Sequence, residues 1–242
     1  MISDVDKKNA SWVKESAFGI WFLGTDVWVK HVLTKALDDL EPLINDRKKS
    51  YPVILDVGCG HGHSLWMLDQ RFNPEKIIAL DIDPNAESRA QDNIARCRCE
   101  VQVQNGGAAD IKQTDNSVDL LFCHQTFHHI VDQDRAIQEF LRVLKPGGNL
   151  LFAESCRRYI HSFLIRLLFR HPMDVQKTDL EYIEFIRSAG FELDEQNISR
   201  PFLWWSREDL GAFEFFGFPE KQEGREETMV NLVAFKPNNS TL

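Results

Sequence analysis

The sequence predicts an α/β chain built on a doubly wound, mostly parallel sheet. Three observations carry this. Apolar, β-branched runs alternate with helix-like segments through the middle of the chain. The first run, "YPVILDV", opens onto a glycine-spaced loop, "GCGHG". The second run, "KIIALDI", carries an acid near its end, Asp81.

The elements follow in order. Tyr51–Val57 is apolar almost throughout, which suits a strand covered on both faces. "SLWMLDQRF" reads as the next helix, and Lys76–Ile82 as the second strand. Pro84 opens a helix reaching Arg96, because proline suits a first helical turn. "CEVQVQ" alternates as a third strand and "SVDLLFC" is a fourth. "DQDRAIQEFLRVL" is an amphipathic helix, expected to stop at Lys145-Pro146-Gly147-Gly148 before a fifth strand, Asn149–Ser155. "DLEYIEFIRSAGF" is a further helix ending at Gly190, and "FELDEQNIS" and "TMVNLVAFK" supply two late strands. In front of this domain (residues 49–242), residues 1–48 read as a helical lid carrying Trp12, Phe18, Trp21, Phe22 and Trp28. Residues 157–173, "RRYIHSFLIRLLFRHPM", read as a helical insertion. Trp204 and Trp205 offer another pocket wall, with Ser206 as N-cap of a helix starting at Arg207.

Composition narrows the partners. With 242 residues, 43% of them hydrophobic, the chain is long enough for a sizeable core. The net charge of −9 argues against broad binding to nucleic-acid phosphates, which relies on Lys and Arg. The five cysteines show no regular disulfide framework, and the N-terminus lacks a signal-peptide layout, so a cytoplasmic setting is expected. No apolar run approaches the ~20 residues that span a bilayer.

The chemistry concentrates at the strand ends. Gly58, Gly60 and Gly62 let the chain turn tightly and approach a ligand closely, and the following helix presents unpaired N–H groups. Asp81 stands 19 positions after Gly62, where an acid accepts hydrogen bonds from ribose hydroxyls. The spacing G-x-G-x-G is one residue short of the dinucleotide fingerprint, which disfavours a pyrophosphate ligand such as NAD. Asp56 would repel a pyrophosphate and attract a cationic amino group. Cys59, His61 and His63 alternate in the loop, and Cys97 and Cys99 stand apart; neither set has the paired spacing of a structural zinc site, so no metal is expected.

"VILDVGCGHGHS" with "IIALDIDP" resembles the first two motifs of class I S-adenosylmethionine-dependent methyltransferases. "DNSVDLLFCHQTFHHI" is similar to their fourth-strand region and "RVLKPGGNLLFAES" to their fifth-strand entry. The nearest flavour is the small-molecule type that includes the ubiquinone/menaquinone-biosynthesis enzymes. The resemblance implies a Rossmann-like methyltransferase fold with a seven-stranded sheet, S-adenosylmethionine as cofactor and S-adenosylhomocysteine as product. It assigns Asp56 and the backbone from Gly58 through Cys59 to Gly60 to the methionine end. Asp81 would take the ribose, Ile82 the adenine face, and Gly107 and Ala108 the adenine edge. The family's usual acid there is replaced by Gly107, with Asp110 the nearest substitute. Cys123 and His124 would line the methyl-donor pocket, and His124 is the candidate general base. At the position of His129 the family often has a structural histidine.

The acceptor side rests on the aromatic lid and the insertion. They imply a small, apolar or aromatic acceptor. The insertion reads as an amphipathic lid, with contact at a membrane surface or an anionic or lipid-like acceptor as alternatives. "CHQT" after the fourth strand lacks the Asn/Asp-Pro-Pro-aromatic tetrad of amino-methylating DNA enzymes, so nucleic acid is not expected. The rival readings are an RNA or protein methyltransferase, and a cofactor-binding protein without transfer.

Overall fold

The computed structural model describes residues 13–206, 217 and 226–238. Trp12 and the helix expected from Arg207 lie outside the described residues. The described residues open with three α-helical pieces. These are α1 (Ala17–Leu23), α2 (Asp26–Trp28) and, after a π turn at Val29–Leu33, α3 (Thr34–Leu40). The Thr34 hydroxyl and its N–H both donate to the Val29 carbonyl, which accounts for the wide turn.

The alternating part then runs β1 (Val53–Val57), α4 (His63–Phe72), β2 (Lys76–Asp81), α5 (Ala86–Ile94), β3 (Glu100–Asn105) and β4 (Val118–His124). It continues with α6 (Gln133–Val143), β5 (Leu144–Ser155), α7 (Arg157–Ile160), α8 (Phe163–Leu168), α9 (Asp179–Ser188), β6 (Ile198–Ser199) and β7 (Met229–Phe235). The sheet order is β3-β2-β1-β4-β5-β7-β6, with β7 antiparallel to both its neighbours. The seven-stranded, mostly parallel sheet is therefore the architecture read from the sequence.

Period-two alternation distributes β1, β2 and β4 between two cores. Leu55, Leu121 and Cys123 face α6 and α9 in one core, whereas Ile54, Leu120 and Phe122 face α3 and α4 in the other. The strand order reverses between the parallel strands β1 and β4, and ligands of such sheets bind at the carboxyl ends beside that reversal.

Three expected elements differ. The Lys145–Gly148 segment does not sit outside the fifth strand: β5 begins at Leu144, joined to β4 through an irregular register between Val118 and Leu120. The 157–173 insertion is two short helices, because Ser162 is extended and the residue before Pro172 is held away from helix. "FELDEQNIS" pairs only at Ile198–Ser199 and through a single Glu192–Phe235 bridge, since a 3-10 turn at Glu195–Asn197 interrupts it.

Candidate active site

A cleft of about 230 Å³ opens at the carboxyl ends of β1, β2 and β4. Its floor is the glycine loop. Gly58 has φ +79°, and a Cβ there would come within 2.2 Å of the Thr126 hydroxyl oxygen. Gly62 has φ +72° and starts α4, packed so close to α5 that a Cβ would meet that of Ala90 at 2.7 Å. These two positions require glycine, and the loop's shape depends on them.

Of the four acids lining this cleft, Glu15, Asp56, Asp81 and Asp83, two lie beside the glycine loop. Asp56 is buried and accepts a hydrogen bond from the Ser64 hydroxyl. Burial, with the neighbouring Asp81 adding to it, pushes its acid up to about 7. Asp81 accepts from the Gly60 N–H and the Asp83 N–H, each at 2.8 Å, and burial raises its acid as well. Two desolvated acids in one cleft attract a cation, because a cationic ligand restores what desolvation removes.

Of the residues read from the sequence, Asp56, Gly58, Cys59, Gly60, Asp81, Ile82, Gly107, Ala108 and His124 all line the cleft. Cys123 does not. Adjacent strand residues point to opposite faces, so its thiol lies in the other core, 3.7 Å from Glu154. Asp110 is exposed and paired with Lys112, outside the cleft, which Gly107 and Ala108 line instead. His124 is sandwiched between Phe122 and Trp28, and burial pushes its imidazole down to about 3. His61 and His63 serve the framework: His61 Nε2 is 2.9 Å from the Ile20 carbonyl, tying the loop to α1, and His63 Nδ1 is 3.1 Å from Asn93 Nδ2.

A second cavity of about 240 Å³ adjoins the first. Glu15, Leu23, Trp28, Gln125 and His129 line both. Aromatic and aliphatic side chains from α1, α7 and α8 line part of its wall, with Phe18, Phe22 and Phe169 packed ring against ring. Trp205 closes one side, its indole N–H donating to the His31 carbonyl.

Two of the junction residues, Glu15 and Gln125, are assigned no role by the sequence. Glu15 Oε1 accepts from the Arg170 N–H at 3.0 Å, and burial raises its acid. Gln125 holds a left-handed backbone, φ +51°, unusual for a non-glycine residue. Its side-chain oxygen accepts from Ser155, while its amide nitrogen has no partner among the described residues. The only signal available was that Gln125 directly follows the fourth strand.

The fold and the cleft together define a Rossmann-like protein with a ligand-sized cleft at its strand ends. Residues 55–152 match the family model described as "Methyltransferase domain". The chain is 26% identical over 140 residues to phosphoethanolamine N-methyltransferase 3 of Arabidopsis thaliana, covering 57% of this chain and 28% of the relative. It is 28% identical over 143 residues to a fatty-acid O-methyltransferase of Mycolicibacterium smegmatis, covering 58% and 51%. The chain thus spans about a quarter of the first relative and about half of the second. Among solved structures, a Haloferax volcanii methyltransferase in complex with the Trm112 methyltransferase activator shares the fold, with TM-score 0.66 and 19% identity over 91% of this chain and 94% of that one. Over residues 55–152 the chain is similar to methyltransferase domains, and its relatives include a probable S-adenosylmethionine-dependent methyltransferase of Mycolicibacterium smegmatis, 27% identical over 143 residues.

Proposed function

We propose that this protein transfers the methyl group of S-adenosylmethionine to a small, apolar acceptor held in the second cavity. The observation carrying this is the junction: a predominantly apolar cavity opens onto the cofactor cleft at Glu15, Trp28 and Gln125. The two acids fit the cofactor's cationic end and its ribose. Asp56 faces the amino group, Asp81 the ribose hydroxyls, and Ile82 and Ala108 the adenine. Bound there, the cofactor supplies a methyl made electrophilic by its sulfonium sulfur.

The chain's own work is alignment and exclusion of water. Trp28 and Leu23 close the junction from the lid, and the unpartnered Gln125 amide offers a donor to an acceptor oxygen or nitrogen. A weakly acidic hydroxyl or amine also needs a proton acceptor. His124 is ill suited, because an imidazole pushed down to about 3 holds a proton poorly near neutrality. Glu15 suits the task better: it lines both cavities, and burial moves its acid toward neutrality.

The named relatives act on phosphoethanolamine and fatty acids, so they support the donor more than the acceptor. The cavity's apolar wall favours a lipid-like or aromatic acceptor. Phe163 and Leu167 on α8 and Trp21 on α1 are exposed, which suits delivery of such a molecule from a membrane surface. No helix among the described residues is long and apolar enough to cross a membrane.

Thermal-shift measurements with S-adenosylmethionine, S-adenosylhomocysteine and NAD test the cofactor. Both sulfur compounds should raise the melting temperature; a shift with NAD alone would overturn the reading. Transfer of radiolabelled methyl into a lipid and metabolite extract, compared with RNA and protein, tests the acceptor. Cofactor binding with no labelled product in any fraction would leave a binding protein without transfer.

A further inference from the structure

Three imidazoles meet beside the junction of the cavities. His128 and His129 lie on the 3-10 turn Phe127–His129 after β4, and His171 follows α8. Their ring centroids are 4.4 Å (His128–His129), 4.7 Å (His129–His171) and 5.1 Å (His128–His171) apart. One nitrogen from each lies within 4.8 Å of the others. Gln176 fixes the approach of the two segments: its Nε2 donates to the His128 carbonyl at 2.8 Å and to the Pro172 carbonyl at 2.7 Å.

The hydrogen-bond pattern suits a ligand set. His128 Nδ1 is 2.5 Å from Glu154 Oε2, so Nε2 is the nitrogen it has left to offer. His171 Nδ1 is buried with no hydrogen-bond partner among the described residues. A buried polar nitrogen without a partner, such as His171 Nδ1, is costly, and a metal ion bound there removes the cost.

We propose that His128, His129 and His171 bind one divalent transition-metal ion of the zinc class at the edge of the acceptor cavity. Three nitrogens bound to one zinc at 2.0–2.1 Å stand about 3.3 Å apart, so the rings need move together by only about 1 Å. Neutral imidazole ligands select zinc and its neighbours over magnesium or calcium, which take oxygen. Glu154 is the outer carboxylate that fixes the tautomer of one ligand. Three protein ligands leave a position for an oxygen or nitrogen atom of another molecule. All three histidines line the second cavity, and Glu15 Oε2 is 3.8 Å from His129 Nε2. Resting on the acceptor reading above, that position would polarise the acceptor's nucleophilic atom beside Glu15.

Cobalt(II) titration of the untagged, chelator-stripped full chain tests the site without cofactor or acceptor. One equivalent should give the visible absorption of four- or five-coordinate cobalt, and one equivalent of zinc should displace it. His129→Ala and His171→Ala should each weaken zinc binding at least a hundredfold, whereas His61→Ala should leave it unchanged. X-ray absorption of the zinc-loaded wild type needs no variant to fold, and should show imidazole nitrogens and no sulfur. No cobalt band, a sulfur shell, or a band that survives both histidine variants would overturn the proposal. Methyl transfer is read separately. Stoichiometric metal without transfer leaves this site standing and removes the acceptor reading, and transfer without metal does the reverse.

Discussion

Glu154 Oε2 sits 2.5 Å from His128 Nδ1, and both side chains are buried. The other carboxylate oxygen accepts from the Thr126 and Phe127 N–H groups at 2.8 and 2.7 Å. One buried acid on β5 thus shapes the turn after β4 and orients the histidine it carries. Glu154→Ala should destabilise the chain by about 3–5 kcal/mol, the usual cost of breaking a buried charged network. The milder Glu154→Gln should keep the fold and weaken zinc binding about 10–100-fold. Denaturant unfolding and competitive metal titration read the two effects, and an unchanged zinc affinity would count against the orienting role.

Asp56 gives a prediction with opposite signs for folding and binding. Its acid titrates near 7 in the folded chain against about 4 when unfolded. Below about pH 4 both states are protonated and no penalty exists. As pH rises from about 4 to 7, the unfolded chain loses this proton while the folded chain keeps it, so stability falls, by roughly 4 kcal/mol for this group alone. Asp56→Asn should therefore raise the melting temperature of the free protein at pH 8 and change it little at pH 4. The same substitution should weaken S-adenosylmethionine about ten- to hundredfold by calorimetry, since a charge-assisted hydrogen bond is lost. A lower melting temperature at pH 8 would show that the carboxylate stabilises the empty cleft.

Gly58→Ala meets two obstacles, the positive φ and the Thr126 side chain. The backbone term alone is about 1–2 kcal/mol. The single variant should lose more than that in denaturant unfolding, and Gly58→Ala with Thr126→Gly should recover part of it. Full recovery would mean that the contact, and not the dihedral, demands glycine.

The sheet and the glycine-loop side of the cleft are legible in the sequence because their signals are local. A β-branched run followed by G-x-G-x-G and, one unit later, Asp81 places both acids with no long-range information. Cys123 and His124 were read as a pair, yet strand alternation allows only one of two neighbours to face the cleft. The junction is different. Glu15, Gln125 and His171 come from three separate segments, and only tertiary packing brings them to one cavity. The broken insertion follows the same logic: its apolar pattern is helical, but Ser162 and Pro172 cut it so that His171 can turn inward to the histidine pair.

The last expectation separates the two proton acceptors. His124 lies between Phe122 and Trp28 as part of the cleft wall, and burial leaves its imidazole neutral through the working pH range. Glu15 lies where the cavities join, with one oxygen held by the Arg170 N–H and the other turned to His129. Once a methylated product is identified, His124→Gln should keep turnover within about fivefold, because it removes no proton acceptor. Glu15→Gln should lower turnover about 10²–10⁴-fold, the range a general base supplies, with S-adenosylmethionine affinity nearly unchanged. It should also remove the acidic limb of the pH–rate profile, which a packing defect would leave in place. If His124→Gln abolishes that limb instead, the base belongs to the fourth strand and Glu15 serves only to tie the lid to the insertion.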